Sequence, residues 1–143
     1  MIETSHHGTP FGNIRLRYWP AAGASGEAGS RGGNNAEDKA EARPTVVLVH
    51  GMFGDVDVWS ATALNLARAG LSVLAADLPG HGESTAEVDS AEQAAQAIGA
   101  ALDAWRDASA QAEAVQDGRR LLLVGHSFGA LVASTLAASL EKM

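Results

Sequence analysis

The chain has 143 residues, 46% of them hydrophobic, which is enough for a single globular domain with a substantial core. Lys and Arg total 10 against 17 for Asp and Glu, and the net charge of -7 argues against a polyanionic partner such as nucleic acid or an acidic membrane surface. With no cysteine, disulfides, thiolate metal sites and a Cys nucleophile are excluded, so the chemistry must come from oxygen and nitrogen groups, and a reducing compartment fits.

The opening Met-Ile-Glu-Thr-Ser-His-His has an early acid and no apolar core, unlike a secretory signal, and no later apolar run is long enough to span a bilayer. A soluble, cytoplasmic protein is therefore expected. His6 and His7 are adjacent, so they do not share a face of a strand or helix, and no metal site is expected there. Ile14 to Trp19 alternate apolar and basic residues behind a Gly12-Asn13 turn, which predicts a half-exposed outer strand. From Ala21 to Arg43 the composition shifts to Gly, Ala, Ser, Asn and mixed charge with nothing large to bury, and a flexible surface loop is expected over 21–43.

Thr45 to Val49 is a short apolar run rich in β-branched residues, as suits a strand covered on both faces, and it stops at His50-Gly51. Asp57 is placed to cap a helix in which Trp59, Ala63 and Leu66 recur at helical spacing, with Gly70 at its C-terminal stop. A second buried strand, Leu71 to Ala76, runs into Asp77-Leu78-Pro79-Gly80-His81-Gly82, too rich in Pro and Gly for strand or helix. Ser90 and Gln93 have capping-box spacing, and Ala91, Ala94, Ala95, Ile98, Ala101, Leu102 and Trp105 fall on one face of the helix that follows. A third buried strand, Leu121 to Val124, enters Gly125-His126-Ser127-Phe128-Gly129, and an apolar helix follows from about Gly129 to Leu140.

Buried strands alternating with helices predict an α/β fold: a parallel sheet with helices on both faces, joined by right-handed crossovers. Ligands of such sheets gather at the carboxyl ends of the strands, where all three Gly/His segments lie. Gly125 to Gly129 matches Gly-x-Ser-x-Gly between a strand and a helix. A turn that sharp needs small residues two before and two after its centre, and it lifts the Ser127 hydroxyl to a helix N-terminus where negative charge is favoured.

Taken in order and context, Val47-Leu48-Val49-His50-Gly51-Met52-Phe53-Gly54, Asp77 to Ser84 and Gly125 to Gly129 resemble the α/β-hydrolase superfamily over residues 45 to 140. The His-Gly-Met-Phe-Gly form is most similar to its small esterase and lid-bearing branches. The resemblance implies a serine hydrolase acting on an ester, thioester or similar small-molecule acyl substrate, with Ser127 as nucleophile, no cofactor and no metal. It also implies that the backbone N–H groups of Met52 and Phe128 form the oxyanion hole, two fixed donors for the tetrahedral intermediate. Their side chains either line an apolar acyl pocket or, for Met52 and Phe53, pack as core beneath a loop.

Other candidates are set aside. The side chain of His126 diverges from that of Ser127 at a tight turn and is expected to pack or hydrogen-bond. His50 and His81 sit where the family uses imidazole to brace turns, and Asp77 precedes the position of the family's acid, so capping its own turn is its expected task. His50-Gly51-Met52-Phe53-Gly54 is not Gly-x-Gly-x-x-Gly, and no Gly-Lys-Ser/Thr loop appears, which tells against a nucleotide-binding domain.

The family's order is Ser, then acid, then His, yet only sixteen residues follow Ser127, and they contain Glu141 and no His. An incomplete α/β-hydrolase fold is therefore expected: a single partial domain over 1–143, lacking its acid, base and lid. One consequence is expected from this. Leu121 to Val124 becomes an exposed apolar edge, open to a complementing C-terminal half or to self-association. The alternative to a hydrolase is a non-catalytic product of a truncated or split gene, acting, if at all, as a binding module.

Overall fold

The computed structural model describes residues 1–23, 43–108 and 120–142. Most of the expected 21–43 loop, residues 24–42, lies outside the described residues.

The chain opens with a hairpin of β1 (Glu3–Thr9) and β2 (Gly12–Trp19), paired antiparallel from Glu3 opposite Tyr18 to Thr9 opposite Gly12. The turn is fixed locally: Thr9 Oγ1 donates to the Gly12 carbonyl at 2.7 Å and accepts from the Phe11 N–H at 3.1 Å. Gly12 has φ +126, and a Cβ there would stand 2.7 Å from the Ala86 Cα, so only glycine fits. β2 is thus not the outer strand the alternation predicted. The true edge, Glu-Thr-Ser-His-His-Gly-Thr, has no apolar alternation to reveal it and is a strand because β2 supplies its hydrogen-bond partners.

β3 (Thr45–Val49) is buried along its whole length, as expected. A short 3₁₀ turn, Val56–Trp59, leads into α1 (Ser60–Arg68). Its cap is Asp55 rather than Asp57: the Asp55 carboxylate accepts from the Asp57 N–H at 2.8 Å. Asp57 stands in the first turn and pairs with Arg17 at 2.5 Å, which holds its carboxyl below the usual range. Gly70, with φ +95, ends the helix region where the sequence placed its stop. β4 (Val73–Ala76) is two residues shorter than the apolar run predicted.

α2 (Ala91–Ala108) begins at the expected capping pair: Ser90 Oγ accepts from the Gln93 N–H at 3.1 Å, while Gln93 reaches back to the Asp89 N–H at 2.8 Å. Its buried face is the predicted one with Ala97 added and Ala91 only half-buried. β5 (Leu121–Gly125) and α3 (Phe128–Glu141) complete the described elements.

The sheet order is β1-β2-β4-β3-β5, with β4, β3 and β5 parallel and the hairpin attached antiparallel to β4 through β2. The parallel sheet with helices on both faces is therefore present, extended by an antiparallel hairpin. Ile14, Leu16, Val47, Val49 and Leu74 pack under α2 and α3, and Trp19, Val46, Leu48 and Val73 pack under α1. The period-2 alternation of each strand divides its side chains between these two cores. β5 is the last strand of the sheet, and it is half-exposed rather than buried.

Candidate active site

Three loops meet at the carboxyl ends of β3, β4 and β5. The turn from β5 into α3 places Ser127 at φ 57 and ψ -124, a left-handed conformation that costs a non-glycine residue about 1–3 kcal/mol. The surrounding backbone enforces it. A Cβ on Gly125 would collide with the carbonyl of Gly129, and one on Gly129 would collide with the carbonyls of Val49 and His50. The turn is tied by Gly129 N–H to the His126 carbonyl at 2.9 Å, Ala130 N–H to the Ser127 carbonyl at 2.9 Å and His126 N–H to the Val49 carbonyl at 3.1 Å. None of these bonds uses the Phe128 N–H. Ser127 occupies the N-cap of α3, is exposed, and does not spend its hydroxyl on capping the helix.

The loop after β3 runs against that turn. At Gly51 a Cβ would lie 3.1 Å from the Ser127 Cβ and 3.1 Å from the His126 carbonyl, so the two segments that the sequence associated only by resemblance are in contact. His50 is fully buried. Its Nδ1 lies 2.6 Å from the Gly51 carbonyl, and its Nε2 accepts from the Leu78 N–H at 2.9 Å. This pair of partners requires a neutral ring protonated on Nδ1. Burial pushes the His50 pKa down, and the charge of His81 adds to this against the opposing effect of the hydrogen bond that the ring donates to the Gly51 carbonyl. His50 thus braces the turn, as the sequence suggested.

Met52 and Phe53 follow on the rim, and neither is core. Met52 is 51% exposed and Phe53 94%, with Phe53 held at φ 68 and its ring 6.5 Å from that of His81. The His81 ring in turn lies tilted against that of His50, 5.3 Å between centroids, and its Nδ1–H donates to the Pro79 carbonyl at 3.0 Å.

The loop after β4 is organised by Asp77, which does more than cap its own turn. Fully buried, it accepts from the Glu83 N–H at 2.8 Å within its loop, from the Val56 N–H at 2.8 Å in the loop after β3, and from Arg15 Nε at 2.6 Å. Arg15, buried on β2, also pairs with Glu83 at 2.5 Å. Burial acts to lower the Arg15 pKa, but the hydrogen bond and charge of Asp77, with Glu83 and Asp55, outweigh it and leave it raised. Sequence reasoning missed this residue. In the alternation of β2, Arg15 reads as a solvent-facing base, and only the return of the 77–84 loop over it buries the guanidinium.

Ser127, Met52 and Phe128 therefore share one rim. His126 is exposed beside Ser127, and among the described residues no side chain forms a hydrogen bond to the Ser127 hydroxyl. Among the same residues, no cluster of His, Asp and Glu could hold a metal ion, and no helix is long and apolar enough to cross a membrane.

Residues 46–141 match the alpha/beta hydrolase family. A search of curated proteins finds no match. Among solved structures, the thioesterase domain from the curacin biosynthetic pathway is 25% identical with a TM-score of 0.62, covering 99% of this chain and 41% of that one. An alpha-beta serine hydrolase homologue from Coxiella burnetii is 20% identical with a TM-score of 0.67, covering 96% and 57%. The Cif epoxide hydrolase from Acinetobacter nosocomialis is 16% identical with a TM-score of 0.63, covering 96% and 34%. The chain thus spans about a third to just over half of the length of these neighbours.

Proposed function

The chain belongs to the alpha/beta hydrolase family, and from that premise we propose that it carries the nucleophile and oxyanion hole of a serine hydrolase acting on an ester, thioester or similar acyl substrate. The observation that supports this is the Ser127 turn. A serine held by its turn at positive φ on a helix N-terminus, with its hydroxyl uncommitted, carries backbone strain of the kind that collects where function requires it. Ser127 Oγ would attack the acyl carbonyl while a base takes its proton. The carbonyl oxygen would take up the negative charge between the N–H groups of Met52 and Phe128, at the positive end of α3. Met52 and Phe53 would offer the acyl group an apolar surface. A thioesterase domain among the neighbours supports the acyl reading, and we place the protein in the cytoplasm on the absence of cysteine.

Activation of Ser127 needs a base and a carboxylate to orient it. Among the described residues neither is hydrogen-bonded to it, so both would come from a complementing C-terminal half. The test is labelling by a fluorophosphonate probe: attachment at Ser127 in the presence of that half is expected, and failure to label even then would sink the assignment. The same missing base favours one competing reading, a non-catalytic binding module. Measurable ester turnover by the purified 143-residue chain would remove it.

A further inference from the structure

We propose that Ser5 is a second nucleophilic centre, activated by His7 and open to acylation by a small activated ester or thioester. The two side chains meet on β1, where His7 Nε2 and Ser5 Oγ stand 2.8 Å apart. Two residues apart on a strand, they project from one face of the sheet, and both are half-buried there. The pairing with β2 sets Ser5 opposite Leu16 and His7 opposite Ile14, two fully buried side chains of the core beneath α2. His6 lies on the other face and bonds Glu83, which leaves His7 to Ser5.

The surroundings suit His7 to act as a base. Burial against this apolar floor, and then the charge of His6, hold its pKa below the ordinary 6.5, so the neutral ring prevails at physiological pH. With the ring proton on Nδ1, Nε2 accepts the Ser5 O–H and is placed to take that proton. β1 is the last strand of the sheet on this side and pairs only with β2, so a small acyl compound can approach from the open edge. The fold does not depend on the contact: β1 is held by its backbone pairing with β2, and water can satisfy two half-exposed polar groups.

In the reaction, Ser5 Oγ attacks the acyl carbonyl as its proton passes to His7 Nε2. The bond from the carbonyl carbon to the leaving oxygen or sulfur then breaks, and the leaving group departs with that proton. The products are the Ser5 ester and a free alcohol or thiol. Among the described residues no carboxylate orients the His7 ring, which suits the pair to a single acylation and not to the sustained turnover of a triad.

The inference rests on this pair alone and not on the chemistry of Ser127, which follows β5 at the opposite end of the sheet order. The chain is incubated with p-nitrophenyl acetate at physiological pH, and acetylation is mapped residue by residue by mass spectrometry, so that Ser5 and Ser127 are read separately. The internal reference is Ser134, an exposed hydroxyl that donates to the Ala130 carbonyl at 2.8 Å. Ser5 is expected to be acetylated about a hundredfold faster than Ser134, the lower end of what a positioned base supplies. In His7→Gln, whose amide keeps a hydrogen-bonding group near the Nε2 position but has no basicity, Ser5 is expected to fall to the rate of Ser134. Ser5 reacting no faster than Ser134 in the unsubstituted chain would overturn the proposal, and so would an undiminished rate in His7→Gln.

Discussion

The carbonyl oxygen of His50 occupies the space in which any side chain at Gly129 would begin. The end of β3 is thereby packed directly on the first turn of α3, and the loop carrying Met52 cannot separate from the turn carrying Ser127 without breaking that contact. A Gly129→Ala substitution drives a methyl into two backbone carbonyls that have no rotamer to change. A loss of about 3 kcal/mol or more is expected, measured as the fall in the urea midpoint. The same change at Gly80, where a Cβ would meet nothing within 4 Å, avoids the collision and costs only the strain of its φ +73.

Ser127→Gly should separate strain from chemistry. Glycine accepts φ 57 freely, so the variant is expected to be more stable by about 1 kcal/mol while losing all labelling by the fluorophosphonate. Thermal unfolding checks the first outcome and mass spectrometry of the labelled protein the second. An unchanged or lowered stability would mean that the turn is not held against its preference.

Asp77→Asn addresses the buried strut. All the groups facing this carboxylate are donors, those of Val56, Glu83 and Arg15, so an amide would turn an N–H towards one of them and strip the buried guanidinium of its main counter-charge. Removing one partner of a buried pair costs about 3–5 kcal/mol. The exchange of the Val56 and Glu83 amides should accelerate together, because one carboxylate holds both loops.

His50 predicts a pH dependence with a definite sign. Its folded pKa lies below the ordinary 6.5, so the native state favours the neutral ring. The stabilisation is complete above 6.5 and is lost as pH falls below that value towards the lowered folded pKa. His7, also lowered, first by burial and then by the charge of His6, acts in the same direction. Urea midpoints should therefore decline between pH 7.5 and 5, and His50→Asn should flatten the decline while lowering stability at pH 7.5.

The three parallel strands, the capping pair of Ser90 and Gln93, the buried stripe of α2 and the Gly125–Gly129 turn were all legible in the sequence. Each depends on interactions between near neighbours: β-branched runs, helical spacing, and glycines required by a single turn. The identity of the cap before α1 was misplaced by two residues because Asp55 and Asp57 are equivalent as local signals, and it is Arg17, from a distant strand, that claims the second. β1 was invisible for a related reason. Its pairing with β2, not its side chains, makes it a strand.

The sequence by itself determined which residues can form the turn from β5 into α3, since Gly125 and Gly129 leave room for its backbone and Ser127 stands midway between them. Tertiary structure alone decided that Gly51 touches Ser127, that His50 is locked to Leu78, and that Arg15 is an interior counter-charge to Asp77 rather than a surface base. The reason is physical. Alternation within one strand assigns a side chain to a face, but whether that face meets water depends on a loop returning from some sixty residues away along the chain.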